Sequence, residues 1–156
     1  MKIISKIYVS IFGLGFSPIG PGTLGSLFTV LTWYYSNLYH PYIFYTLFLL
    51  ISISSYFFIS NYLKNVNADD PSEVIIDEYI GQSIPLLFIY NFNFIEVLIA
   101  FFAFRFFDIF KIYPVNRADN LKGAWGVILD NVIAGLYALI FVLLFRVSET
   151  LIWKII

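Results

Sequence analysis

The segment YIGQSIPLLFIYNFNFIEVLIAFFAF, residues 79 to 104, decides the fold. It is long and apolar enough to cross a bilayer once, but Pro85 interrupts it, Asn91-Phe92-Asn93 punctuates its middle and Glu96 follows. It therefore reads either as one kinked span or as two short helices that turn back at the Asn residues. A single crossing would put the flanking polar segments, 64 to 78 and 105 to 123, on opposite faces of a membrane. A hairpin would keep them together. Each arm of that hairpin is about a dozen residues, about 18 Å of helix, short of the ~30 Å hydrocarbon core. A hairpin here is re-entrant, with its turn covered by neighbouring helices that satisfy the backbone.

Outside this segment the chain is just as apolar. Its 156 residues are 60% apolar, 21% aromatic and 12% charged, where soluble domains carry about 25% charge. Between Lys6 and Lys64 there is no Asp, Glu, Lys or Arg. One domain of this size cannot hide so much apolar surface, so residues 1 to 156 read as a single membrane-embedded, all-α helical bundle. Residues 42 to 63 and 124 to 145 are long enough to span; 24 to 39 is shorter and needs its Tyr-rich end in the interface. His40-Pro41 joins 24 to 39 and 42 to 63 into a helical hairpin. The basic start and apolar run at the N-terminus resemble a signal peptide, but no Ala-x-Ala-like site follows, and the stretch is read as mature chain. A net charge of −1 argues against a nucleic-acid partner, and the absence of Cys removes disulfides, thiolates and zinc-thiolate sites.

The polar segments hold the chemistry. Asp77 and Glu78 stand side by side at the mouth of the apolar segment, about 100° apart on a helix, where they can flank a cation. Arg105, Asp108 and Lys111 are three apart, a spacing that lets a helix set Asp108 between two cations. Asp130 lies inside an apolar helix, where an ionised carboxylate costs roughly 2.5–3.5 kcal/mol, so such a residue faces a cavity or a partner. Gly126 sits one turn earlier on the same face and permits close approach. The stretch GLGFSPIGPGTLGSL, 13 to 27, is too rich in Gly and Pro for a plain span. It reads as a loop that brings backbone N–H groups toward an anion, with Thr23 or Ser26 capping the next helix. Taken singly, an acidic pair also suits any helix N-terminus, and Arg or Lys also reaches headgroups. Asp69, Asp70, Glu73, Glu96 and Asp119 read as solvated or interfacial, and so does His40.

Together, GFSPIGPGTLGSL, IIDEYIGQSIPL, and FRFFDIFKIYPV continuing into GAWGVILDNVIAGL, in that order, resemble the phosphatidylglycerophosphatase A family along most of the chain. The resemblance implies Mg²⁺-dependent removal of the terminal phosphate of phosphatidylglycerol phosphate, on the cytoplasmic side of a bacterial inner membrane, by an all-helical protein. The family's motif residues fall on Pro21, Gly22, Thr23, Gly25 and Ser26, on Asp77, Glu78 and Gly81, on Arg105, Asp108, Lys111 and Pro114, and on Gly126, Asp130 and Gly135. Two positions depart from the pattern. Ile112 stands where Pro often follows the Lys, and Asn131 replaces the second Asp of a frequent pair, keeping an oxygen but losing a charge.

The side-chain inventory agrees with that chemistry. A Cys nucleophile is excluded, a phosphohistidine route needs more than the single His40, and no Asp-x-Asp exists for an aspartyl-phosphate enzyme. Metal-assisted hydrolysis remains, with Asp77, Glu78, Asp108 and Asp130 as ligands for one or two Mg²⁺ and as catalytic groups. Arg105 and Lys111 would neutralise phosphate oxygens, and Thr23 and Ser26 would add neutral donors. Two competing readings are a CDP-alcohol phosphotransferase, whose signature of Asp residues four apart is missing, and a channel or transporter with Asp130 and Glu96 along its path.

Overall fold

In the computed structural model, residues 2–66 and 71–155 are described, and every regular element among them is helical. The order is α1 (Lys2–Val9), a 3₁₀ turn (Leu14–Phe16), α2 (Pro21–Tyr39), α3 (Tyr42–Leu63), α4 (Ile76–Leu86), α5 (Phe94–Phe110), α6 (Val115–Asp119) and α7 (Ala124–Ile155). Two helices are long and apolar enough to cross a membrane by length and composition: Tyr42–Leu63 and the Ala124–Ile152 part of α7. Asp69 and Asp70 lie outside the described residues.

The deciding segment is a helical hairpin. It breaks at residues 87 to 93, and Asn93 starts α5 by accepting hydrogen bonds from the backbone N–H groups of Ile95 and Glu96. An Asn at this position supplies an acceptor to two of the orphan donors of the first turn. Pro85 sits in the last turn of α4, where it ends the helix rather than kinking a longer one.

α4 is the core of the bundle: ten of its eleven residues are buried. It crosses α7 backbone to backbone. A Cβ on Gly135 would collide with the carbonyl of Gly81, and one on Gly81 with the carbonyl of Asn131 and the ring of Phe104. α7 meets it with a small-residue face, Asn131, Ala134 and Ala138, all buried. Gly126 likewise takes the backbone of Leu121 against itself, the close approach expected there.

The N-terminal segment is clamped to this core. Asn61 donates to Ser5 Oγ at 2.7 Å, Tyr8 and Ser54 share a 2.6 Å hydroxyl hydrogen bond, and Ile75 N–H donates to the Val9 carbonyl at 2.9 Å. The last bond fixes the chain immediately before α4.

Three sequence expectations are corrected here. Glu96 is not solvated: it is 5% exposed and accepts from Arg146 Nε at 2.9 Å and Nη2 at 2.6 Å. Arg146 also donates to the Phe88 carbonyl at 3.0 Å, tying the hairpin to α7 at the end away from Asp77. Glu73 is half-buried and accepts a 2.6 Å hydrogen bond from Tyr62. Thr23 and Ser26 do not cap α2, because Pro21 opens the helix earlier, after Gly20; a Pro at the first helical position has its φ preset and no N–H to satisfy.

Candidate active site

The first turn of α4 presents Asp77 and Glu78 to a pocket of about 220 Å³. Four other stretches reach the same space: Gly20, Pro21 and Gly22 at the start of α2; Ser72 and Val74 before α4; Arg105, Asp108 and Lys111 from the end of α5; Asp130 and Asn131 from α7. The antiparallel hairpin returns the end of α5 to the start of α4, so charged residues some 30 positions apart share one cavity. Gly22 leaves room for the carboxylate of Glu78, which a Cβ at that position would displace.

Within the pocket the cations are already engaged. Arg105 Nη1 pairs with Asp108 Oδ2 at 2.6 Å, and the same nitrogen donates to Ser26 Oγ at 3.4 Å. Lys111 Nζ pairs with Asp130 Oδ2 at 2.8 Å and also with Asp119. The expectation that Asp108 lies between the two cations is altered by the backbone. Lys111 ends α5 in the left-handed region, φ 45°, and its side chain crosses to α6 and α7. Asp119 is exposed, in line with its solvated or interfacial reading, and is also a partner of Lys111. Burial works against the charge on Lys111, but the hydrogen bonds to Asp119 and Asp130 outweigh it and hold the amine above its ordinary value.

Asn131 links the two acidic elements. Its Nδ2 donates to Asp77 Oδ2 at 2.7 Å and to the Val127 carbonyl at 3.2 Å, and its backbone N–H donates to Asp130 Oδ1 at 2.8 Å. Asn131 Oδ1 and Glu78 Oε2 are buried acceptors with no hydrogen-bond partner. Burial pushes the Glu78 carboxyl up to about 7; a hydrogen bond with Asp77 pulls it down, Asp108 raises it and Arg105 lowers it.

Of the eight residues nominated from sequence, Asp77, Glu78, Arg105, Asp108, Lys111 and Asp130 meet at this pocket. Thr23 is exposed and is not among its lining residues. Ser26 is fully buried and donates its hydroxyl to the Gly22 carbonyl at 3.0 Å. Its part is to accept from Arg105, not to offer a donor to a ligand. Among the described residues, no three acidic or His side chains are grouped closely enough to hold a metal as they stand.

A family model described as Phosphatidylglycerophosphatase A matches residues 7–146. The chain belongs to the phosphatidylglycerophosphatase A family. Proteins named "Phosphatidylglycerophosphatase A" from Escherichia coli K12 and Haemophilus influenzae are each 32% identical to it, over 80% of this chain and 73% of the first, and over 84% and 82% for the second. A Bacteroides thetaiotaomicron protein named "Putative phosphatidylinositol-3-phosphatase" is 36% identical over 86% of this chain and 89% of its own length. No solved structure matches the chain.

For a member of this family, the sequence reading missed two contributors. Asn131 was visible only as a departure from the frequent Asp, and its hydrogen bond to Asp77 gives that position a function. Asp119 carried no signal, since its pairing depends on the turn taken at Lys111.

Proposed function

We propose that this pocket hydrolyses the terminal phosphomonoester of phosphatidylglycerol phosphate, releasing phosphatidylglycerol and inorganic phosphate. The observation that carries the reading is the meeting of Arg105 and Lys111 with four carboxylates at the N-terminal turns of α2 and α4, in a chain of this family. The names of all three relatives denote phosphatases of lipid phosphomonoesters, and that shared chemistry is what the pocket suits.

The donor set is all oxygen, which fits Mg²⁺. The buried, partnerless Glu78 Oε2 and Asn131 Oδ1 are acceptors that a cation would satisfy. Asp77 and Glu78, joined by Asp108 and Asp130, would hold Mg²⁺, which when bound supplies Lewis-acid polarisation of the phosphoryl group and a more acidic water. The remaining work falls to the chain. Arg105 and Lys111 trade part of their pairing with Asp108 and Asp130 for phosphate oxygens, Arg105 as the flatter, forked donor. The start of α2 adds first-turn N–H groups that have no intrahelical partner. Asn131 holds Asp77 in place.

A membrane setting supports a lipid substrate. Residues such as Leu50, Ile53 and Phe57 on α3 and Phe102 on α5 are 55% exposed or more, and contiguous apolar surface of this kind marks contact with lipid or a partner. The chain would place its N-terminus and the pocket on the cytoplasmic side, with Lys2, Lys6, Lys64, Arg105, Lys111, Arg117 and Lys122 on that face.

The test is phosphate release by the purified chain from phosphatidylglycerol phosphate and, in parallel, from phosphatidylinositol 3-phosphate, after EDTA treatment and after Mg²⁺ is restored. The reading requires faster release from the first lipid and dependence on Mg²⁺. Preference for the inositol lipid would move the substrate, and full activity after rigorous metal removal would remove the metal.

A further inference from the structure

The first turn of α4 has a second side. Asp77 and Glu78 face the polar pocket, whereas Ile76 and Tyr79, about three residues apart and so on the opposite face of the helix, line an apolar cavity of about 470 Å³. Its other walls include Ile7 of α1, Phe12, and Leu47 and Ile51 of α3. We propose that this cavity receives one acyl chain of the lipid whose phosphate occupies the polar pocket. The proposal rests on the phosphatase reading above and adds where the substrate's tail lies.

Three observations carry it. First, head and tail sites share one helical turn, so a single glycerophospholipid reaches both. Second, the cavity is apolar apart from a few hydroxyls, and one of them is anomalous. Tyr79 is 1% exposed, its ring lies near Phe28 and Phe44 at 6.4 Å each, and its hydroxyl has no hydrogen-bond partner. A buried hydroxyl without an acceptor is costly. An ester carbonyl between the phosphate and the acyl chain is an acceptor of the right chemistry, and a plain hydrocarbon has none. Third, the mouth is built at the expense of backbone strain. Ile11, Phe12 and Gly13 are left-handed in succession, φ 46°, 56° and 98°. The turn buries Ile11 at 3% exposure and leaves Phe12 at the rim, 86% exposed. Non-glycine residues adopt this conformation only where the surroundings enforce it, commonly at ligand clamps.

A groove of similar size lies on α5 and α7, lined by residues such as Ile99, Phe106 and Phe141. None of its lining side chains has a polar atom, so nothing in it asks for the ester region of a lipid.

The experiment uses the full chain in phosphatidylethanolamine vesicles containing phosphatidylglycerol phosphate with a mid-chain diazirine. Irradiation, digestion and mass spectrometry should place the label on α1 and α3 at Ile7, Leu47 and Ile51. Excess unlabelled phosphatidylglycerol phosphate should reduce it several-fold, and extra phosphatidylethanolamine should not. Label on the α5–α7 groove, or label indifferent to the competitor, overturns the proposal. As a second measurement, Leu47→Trp narrows the cavity and should raise KM for the diacyl substrate about tenfold while kcat/KM for a dihexanoyl analogue falls much less. Equal losses on both lipids also overturn it. Competition-sensitive labelling without phosphate release would sink the phosphatase reading alone and leave the tail site standing; phosphate release with label elsewhere does the reverse.

Discussion

Asn131 Nδ2 donates to Asp77 Oδ2 across the crossing of α7 and α4, at 2.7 Å. The bond orients one carboxylate of the pocket from a residue that carries no charge. Asn131→Ala should lower phosphate release about 10- to 100-fold, the range expected when a group orienting a ligand is lost. A variant with native kcat and native Mg²⁺ dependence would show that Asp77 needs no such support.

Loss of a pocket carboxylate should be more severe. Asp77→Asn, Glu78→Gln, Asp108→Asn and Asp130→Asn are each expected to reduce the rate by about 100-fold or more, as when a positioned group is removed from an electrostatically driven site. His40→Ala, in the exposed link between α2 and α3, serves as the control. Single-turnover phosphate release on folded protein checks the set.

The Glu96–Arg146 pair predicts a loss of stability without a loss of chemistry. Glu96→Ala leaves Arg146 with the Phe88 carbonyl but without its carboxylate, and should cost about 1–3 kcal/mol. A double-mutant cycle with Arg146→Met, read by thermal unfolding in detergent, isolates the coupling. A transporter reading would instead have Glu96→Ala abolish function in protein that remains folded.

The raised Glu78 carboxyl sets a pH dependence. Its value moves from 4.5 to about 7 on folding, so between those values the folded chain holds a proton that the unfolded chain does not. Stability from this group is thus greatest below about 4.5 and falls as pH rises through 7. Metal-free protein should lose thermal stability between pH 5 and pH 8, with a smaller loss in Glu78→Gln. A metal cation that binds this carboxylate displaces the proton, so Mg²⁺ should protect more at pH 8 than at pH 5.5. Parallel slopes for the native chain and Glu78→Gln would refute the assignment.

Sidedness is checked with introduced thiols, since the chain has no Cys. Single Cys at Asn65, Asn120 and Tyr39, all exposed, can be labelled with an impermeant reagent in sealed, oriented membranes. Positions 65 and 120 should react from the cytoplasmic side and position 39 from the other. Reaction of 65 and 120 from opposite sides is incompatible with the hairpin lying within a bilayer.

How much of this was legible in sequence depends on the range of the interaction. The break between α4 and α5 is visible because Asn93 acts on residues two and three positions away. The helix joints at His40-Pro41 and the start of α2 are visible as punctuation, although Gly20 and Pro21 make the cap expected from Thr23 or Ser26 unnecessary. The partner of Glu96 lies 50 residues off, beyond any local pattern. The route of Lys111 to Asp119 and Asp130 turns on a left-handed residue that no glycine announces. The six charged pocket residues stood out because charge is scarce in this chain; their pairing did not.

The glycine contact between α4 and α7 has a practical meaning for redesign. Where main chain rests on main chain, at Gly81 and Gly135, the interval between Asp77 and Asp130 is set by the girders of the bundle and not by adjustable side chains. Widening the apolar cavity beside α4 from α3, at Leu47 or Ile51, would leave that interval alone, whereas Gly81→Ala would pry the jaws apart while touching no acid. With the proposed tail site, lipid length would therefore be tuned from α3 and headgroup chemistry from the opposite side of α4.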